Sequence, residues 1–407
     1  MRVREFLERD RESATEKTGP RGWDALTHLC FSRYLRLDRA RSEGFVKSAT
    51  ALLDAGANPN TGWFENNHQP KPGWESALYG AAGVAHHAEL TRLLLARGGD
   101  PNDEETPYHA PETHDNGALK ALVESGKLTE DSLTMILLRK TDWHDYEGTK
   151  WLLEQGVDPN RMTRWRKTAL HNAVLRDNHI SIIDVLLDHG ADPTLVAARQ
   201  HWWFMTTGKS AIAMAARRGR GDALDSFQER GFPIELDGVE RLIAACAQND
   251  TAAVRKIKDN EPRLVGQLKA EGGKLLAEFA GVGNTSGVSQ LLDLGVAVDA
   301  LYEGDGYFGI AKRSTALHVA AWRARHPTVR LLIDRGARVD AKDGDGRTPL
   351  ALAVRACVDS YWTDRRAPES VEALLRAGAS VLDVPFPSGY APVDQLLESF
   401  GKQPEEA

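Results

Sequence analysis

The sequence predicts an all-α solenoid of stacked helix-turn-helix-hairpin units. Three observations predict it: one phrase recurs along the chain, its glycines keep a regular period, and a second phrase precedes it. The first phrase appears as LLDAGANPN (52–60), LLLARGGDPN (93–102), WLLEQGVDPN (151–160), LLDHGADPT (186–194), LLDLGVAVD (291–299), LLIDRGARVD (331–340) and LLRAGASVLD (374–383). LVESGKL (122–128) and FQERGFPIE (227–235) are weaker echoes. The second phrase appears as SALYGAA (76–82), TALHNAV (168–174), SAIAMAA (210–216), TALHVAA (315–321) and TPLALAV (348–354).

Each element follows from its residues. The Leu pairs of the first phrase place an apolar stripe on a helix. The Gly after them takes the left-handed conformation that closes a helix. The Asp/Asn-Pro that follows in several copies prevents the helix from continuing. In the second phrase Thr or Ser is placed to cap a helix start, and Pro349 suits the first helical position. The small Ala residues admit a neighbouring helix at close range.

The marker glycines are Gly56, Gly98, Gly126, Gly156, Gly190, Gly231, Gly295, Gly336 and Gly378. Their gaps run from 28 to 42 residues, with one of 64 between Gly231 and Gly295. The long gap reads as two units, with Asn260 standing in for the missing Gly. A period near 33 is the mark of a solenoid, in which each unit is stabilised by stacking on its neighbours.

On these phrases the chain resembles the ankyrin-repeat family. TALHNA and TALHVA are similar to that family's TPLHxA motif, and GANPN, GVDPN and GADP to its helix-to-hairpin junction. The resemblance implies about ten repeats, weak around 106–130 and 232–290. It also implies structural roles for His171 and His318. The expected organisation is an N-terminal cap helix over 1–22, one array over 23–388, and a C-terminal cap helix and tail over 389–407.

Composition narrows the function. The 407 residues carry 51 Lys+Arg against 58 Asp+Glu, a net charge of −7, which gives no electrostatic reason to expect nucleic acid. Three Cys without CxxC spacing exclude a disulfide scaffold and a Cys-based zinc site. The start, MRVREFLERDRES, has no apolar segment of the secretory kind, and no run approaches 18 apolar residues. A monomer in a reducing cytoplasm is the expectation. No phosphate loop, HExxH, calcium loop or nucleophile elbow is present. The sequence therefore predicts no catalytic residues, no metal and no cofactor.

Function is expected where the chain departs from the repeat. Four departures fall at hairpin fingers: 61–75 with Trp63, Phe64 and Trp74; 161–167 with Arg164, Trp165 and Arg166; 198–209 with Trp202, Trp203 and Phe204; and 302–314 with Tyr307. Three fall between the helices of a unit: 31–44, then 141–148 with Trp143, His144 and Tyr146, and 358–370 with Trp362. Aromatic loops flanked by Arg and His combine rigid contact area with oriented hydrogen bonds. The predicted function is a non-catalytic scaffold that binds a protein or peptide partner in a groove lined by these residues. The basic run Arg161–Lys167 favours an acidic partner. One alternative is an enzyme or a small-ligand or metal-binding protein, with a pocket where 61–75, 106–116, 141–148 and 161–167 converge. That reading requires His109, His114, His144 and Asp145 to meet. A second alternative is a bacterial effector or immunity-type inhibitor.

Overall fold

The computed structural model describes residues 2–68, 73–198, 208–360 and 362–401. The fold is all-α, an ankyrin-type solenoid of helix pairs, and divides into two units, Met1–Lys209 and Ser210–Ala407.

In the first unit, helix Arg2–Arg9 packs on Ser42–Asp54. Five helix pairs follow among the described residues. They are Ala25–Cys30 with Ser42–Asp54, Ala77–Tyr79 (prolonged by a wide π turn, Gly80–Val84) with Ala88–Ala96, Glu105–His109 with Gly117–Glu124, Glu130–Asp142 with Tyr146–Glu154, and Ala169–Leu175 with Ile180–Asp188. The second unit also holds five pairs: Ala211–Arg217 with Gly221–Glu229, Gly238–Ala247 with Thr251–Asn260, Gly272–Val282 with Thr285–Asp293, Ala316–Trp322 with His326–Asp334, and Pro349–Val358 with Glu369–Arg376. Helix Ala391–Ser399 comes last.

Local chemistry sets these boundaries. All nine marker glycines have positive φ, from 65° to 108°. Thr168 and Thr315 start their helices in capping boxes with His171 and His318. Each ring then bonds the backbone of the following finger: His171 Nε2 lies 2.9 Å from the Leu195 carbonyl, His318 Nε2 3.0 Å from that of Ala341. The Ala and Leu of the phrase are buried, Leu170 and Leu317 among them. Truncating such a Leu to Ala costs about 2–5 kcal/mol. The three cysteines, Cys30, Cys246 and Cys357, are buried as free thiols.

The last residue of the finger phrase has a role that its sequence conceals. Asn160 donates to the Gly190 carbonyl at 2.8 Å and accepts from the Asp192 amide at 2.7 Å. Asn60 does the same to Gly98 and Asp100, and Asn102 to Lys127 and Thr129. In the second unit Asp299 and Asp340 accept from the amides of Arg338 and Ser380. Each finger is thus stapled to the next.

Two expectations need correction. Asn260 does not replace a marker glycine: it ends helix Thr251–Asn260 without a left-handed exit, and Pro262 opens a further helix, Pro262–Ala270, where a finger would stand. The gap still holds two helix pairs. Residues 141–148 are not an inserted loop. Helix Glu130–Asp142 runs to within three residues of helix Tyr146–Glu154, and the Asp145 side chain caps the latter by accepting from the Gly148 amide at 2.9 Å.

Candidate binding surface

The finger at 61–76 is a β-hairpin, Gly62–Glu65 paired antiparallel with Gly73–Ser76. Side chains alternate across a strand, so the pair Trp63/Glu75 faces one side and Phe64/Trp74 the other. Phe64 is 62% exposed and meets Trp74 edge-on at 4.9 Å. Trp63 turns inward to Trp23 at 4.5 Å and Phe31 at 4.6 Å between ring centres.

From there a file of rings runs across successive repeats of the first unit. Phe31 meets Tyr79 at 5.6 Å, Tyr79 meets His109 at 5.1 Å, His109 meets Tyr108 at 4.7 Å, and Tyr108 meets Trp165 at 5.8 Å. Small residues permit this approach. A Cβ at Gly80 would lie 2.7 Å from the Phe31 ring, and one at Gly83 would lie 2.7 Å from Tyr79 and 2.9 Å from His109. Trp23, Phe31, Trp63, Tyr79, Tyr108 and His109 are half-buried, so the file is both packed and accessible.

Charged groups flank the rings. His109 lies between Glu105 at 3.2 Å and Glu112 at 2.9 Å. Burial works against its protonation, but the two carboxylates outweigh burial and raise its pKa to about 9. Arg139 pairs with Glu112 and Asp142 and stacks over Tyr108 at 4.0 Å. Burial would raise the Asp142 carboxyl, yet Arg176 and Arg139 hold it below the usual carboxylate range. Glu75 is buried beside Glu105, and the two effects raise its pKa to about 7.

His109 reaches this place through a shift in register. Residues 106–110, TPYHA, spell the repeat phrase. In the regular copies Thr168 caps its helix by accepting from the amide of His171. Here Asp103 accepts from the amide of Thr106 at 2.7 Å, so Thr106 takes the position that His171 holds. His109 falls three residues later, about one helical turn, and points among rings and carboxylates instead of capping.

The anticipated binding residues divide by environment. Phe64, Trp143, His144, Arg164, Arg166 and Tyr307 are exposed, and Trp74 and Tyr146 half-buried. Trp165 and Trp362, expected as partner contacts, are buried at 7% and 8% exposure and pin their own loops. Trp362 does so among Arg323 at 4.9 Å, Arg365 at 5.0 Å and Phe308. Trp143, His144 and Tyr146 lie at the connection between helices Glu130–Asp142 and Tyr146–Glu154. Trp202, Trp203 and Phe204 lie outside the described residues.

The basic run is engaged within the chain. Arg161 pairs with Asp131, Arg164 with Glu104 at 2.8 Å, and buried Lys167 bonds Asn172 at 2.6 Å. The predicted cluster of His109, His114, His144 and Asp145 does not assemble. Asp145 instead binds buried Lys140 at 2.7 Å and Asn116 at 2.9 Å, while His114 and His144 are exposed. What converges is His68, Glu75, Glu105, His109, Glu112 and Arg139. Sequence reading missed Glu75, Tyr79, Glu105 and Glu112. The phrase TPYHA was the available signal for His109.

A family model described as ankyrin repeats (3 copies) matches residues 140–235 and 276–383, together half of the chain. Among curated proteins, serine/threonine-protein kinase 12 of Arabidopsis thaliana is 43% identical over 84 residues, 21% of this chain and 17% of that protein. The chain thus spans less than a fifth of that relative's length. Among solved structures, the human ASB11 ankyrin repeat domain is 23% identical with a TM-score of 0.26, covering 60% of this chain and 98% of that one. The ankyrin repeat domain of Bcl-3 is 23% identical with a TM-score of 0.23, covering 59% of this chain and 97% of that one. No helix among the described residues is long and apolar enough to cross a membrane.

Proposed function

The chain belongs to the ankyrin-repeat family, whose repeats are generally protein-interaction modules, and on that premise we propose that it is a non-catalytic binding protein whose partner seats on the file of rings in the first unit. The observation that carries this reading is the file of half-buried rings from Trp23 to Tyr108, flanked by Phe64 and Trp74 on the outer face of the hairpin. Half-buried aromatics on a rigid scaffold give large contact area at small entropic cost. The partner is a protein or peptide recognised through ring contact. Internal pairing of Arg161 and Arg164 weighs against acidity as the main determinant. In the second unit, Tyr307 offers a smaller exposed contact.

The test is affinity capture from the native host, followed by titration of the recovered partner against variants. Phe64→Ala with Trp74→Ala should weaken binding by about 2 kcal/mol or more, as at an interface anchor. Trp143→Ala, at the helix–helix connection, should leave affinity unchanged. Equal affinity for correctly folded Phe64→Ala/Trp74→Ala protein and the parent would overturn the proposal.

A further inference from the structure

A second capacity, independent of partner binding, resides where the hairpin meets helix Glu105–His109. We propose that His68, Glu75 and Glu105 form a binding site for a divalent first-row transition metal ion of the zinc type. The three side chains come from three places: the turn residues after the first hairpin strand, the second strand, and the start of the helix. One ligand atom from each lies within 4.8 Å of the others. His68 Nε2 is 3.3 Å from the Glu75 carboxylate, and its Nδ1 is 3.5 Å from that of Glu105. Ligands about 2.0–2.2 Å from a tetrahedral zinc stand roughly 3.3–3.5 Å apart; only one of the two imidazole nitrogens would bind the ion, so the three ligand atoms, now within 4.8 Å of one another, draw together to close on it. One imidazole and two carboxylates suit zinc and its neighbours, whereas calcium takes six to eight oxygens.

Glu75 supplies an observation separate from the clustering. Its side chain is more than nine-tenths buried, and among the described residues its ion-pair partner is His68, itself a member of the set. A buried carboxylate facing a second carboxylate is unfavourable unless a proton or a cation joins them. The surroundings are ordered like the outer shell of a metal site. His109 Nε2 holds the other oxygen of Glu105 at 3.2 Å, Glu112 holds His109 Nδ1 at 2.9 Å, and Arg139 holds Glu112. Gly73 makes room for the ligand ring, since a Cβ there would fall 2.2 Å from His68 Nδ1.

The experiment uses the full chain stripped with chelator and titrated with zinc chloride by calorimetry, then with cobalt(II) by visible absorption. The expected result is one equivalent of zinc bound in the micromolar range or tighter, with cobalt bands of a four-coordinate ion. Glu75→Gln and His68→Gln should each weaken binding by at least about tenfold. His114→Gln, an exposed histidine outside the set, should not. Circular dichroism of the metal-free variants verifies their folding. If Glu75→Gln fails to fold, the half-exposed His68→Gln supplies the same comparison. Absence of saturable binding, or binding unchanged in folded His68→Gln, overturns the site. Partner affinity measured in chelator keeps this outcome separate from that of the binding function.

Discussion

Residues 106–109 and 168–171 spell nearly the same phrase, Thr-Pro-Tyr-His and Thr-Ala-Leu-His, yet their histidines have opposite fates. His171 is fully buried in a capping box, and burial lowers its pKa to about 4. His109 is half-buried between two carboxylates, which outweigh burial and raise its pKa to about 9. The difference lies three residues upstream. Asp103 captures the amide of Thr106, the helix begins early, and the histidine rotates from scaffold to surface. A repeat phrase is therefore an instruction about hydrogen bonds, and its meaning depends on which residue wins the cap.

The strongest way to break this comparison is to remove each ring. His171→Ala loses bonds to Thr168 and Leu195 in a buried setting and should lower unfolding free energy by about 3 kcal/mol in urea titration. His109→Ala should cost less, about 2 kcal/mol, because it deletes part-buried charged hydrogen bonds to Glu105 and Glu112 but no helix cap. Equal losses would show that both rings are scaffold.

The pH dependence of stability is next in size. The folded pKa of His171 lies below its unfolded value near 6.5, so its contribution is complete above that value. It is lost as pH falls towards 4, by at most about 3 kcal/mol. Burial lowers His318 in the same direction. Unfolding measured between pH 7 and 4 should show a shallower acid slope in folded His171→Gln. An unchanged slope would assign the acid limb to other groups.

A smaller effect sharpens the register argument itself. Asp103→Ala removes the cap and should cost about 1–2 kcal/mol, and it should also shift the His109 ring signals in NMR spectra. Loss of stability with the His109 signals unmoved would mean that Asp103 does not set the register. Smallest of all is Arg164→Ala, which deletes an exposed pair with Glu104 and should change stability by no more than about 0.5 kcal/mol. A larger loss would show the finger tip to be structural.

These cases mark what the sequence made legible. Gly56 through Gly378, the Leu pairs and the Thr-Ala-Leu-His phrase each encode a local hydrogen-bond geometry, so helix ends and pair count could be read directly. The aromatic departures were visible as a set, but their orientation was not. Trp63 and Phe64 are adjacent and differ only by the pleat of a strand that the loop did not announce. Trp165 and Trp362 are buried because neighbouring Arg and aromatic groups accept them, contacts fixed by tertiary spacing. Glu75 and Glu105 meet His68 across stacked units, and no local phrase records that distance. Residues 141–148 read as an insertion because Trp, His and Tyr crowd there, while Asp145 was working as an ordinary helix cap.

The buried cysteines have a practical consequence. Burial pushes the thiol pKa of Cys246 up to about 12 and that of Cys357 up to about 11, and raises Cys30 as well. Thiolate is the reactive form, so the folded chain is expected to react only slowly with maleimides and mild oxidants. A single Asn66→Cys substitution, at an exposed hairpin position beside the rings, would then carry a fluorophore selectively, with the native thiols left intact, and report partner arrival at the hairpin in real time.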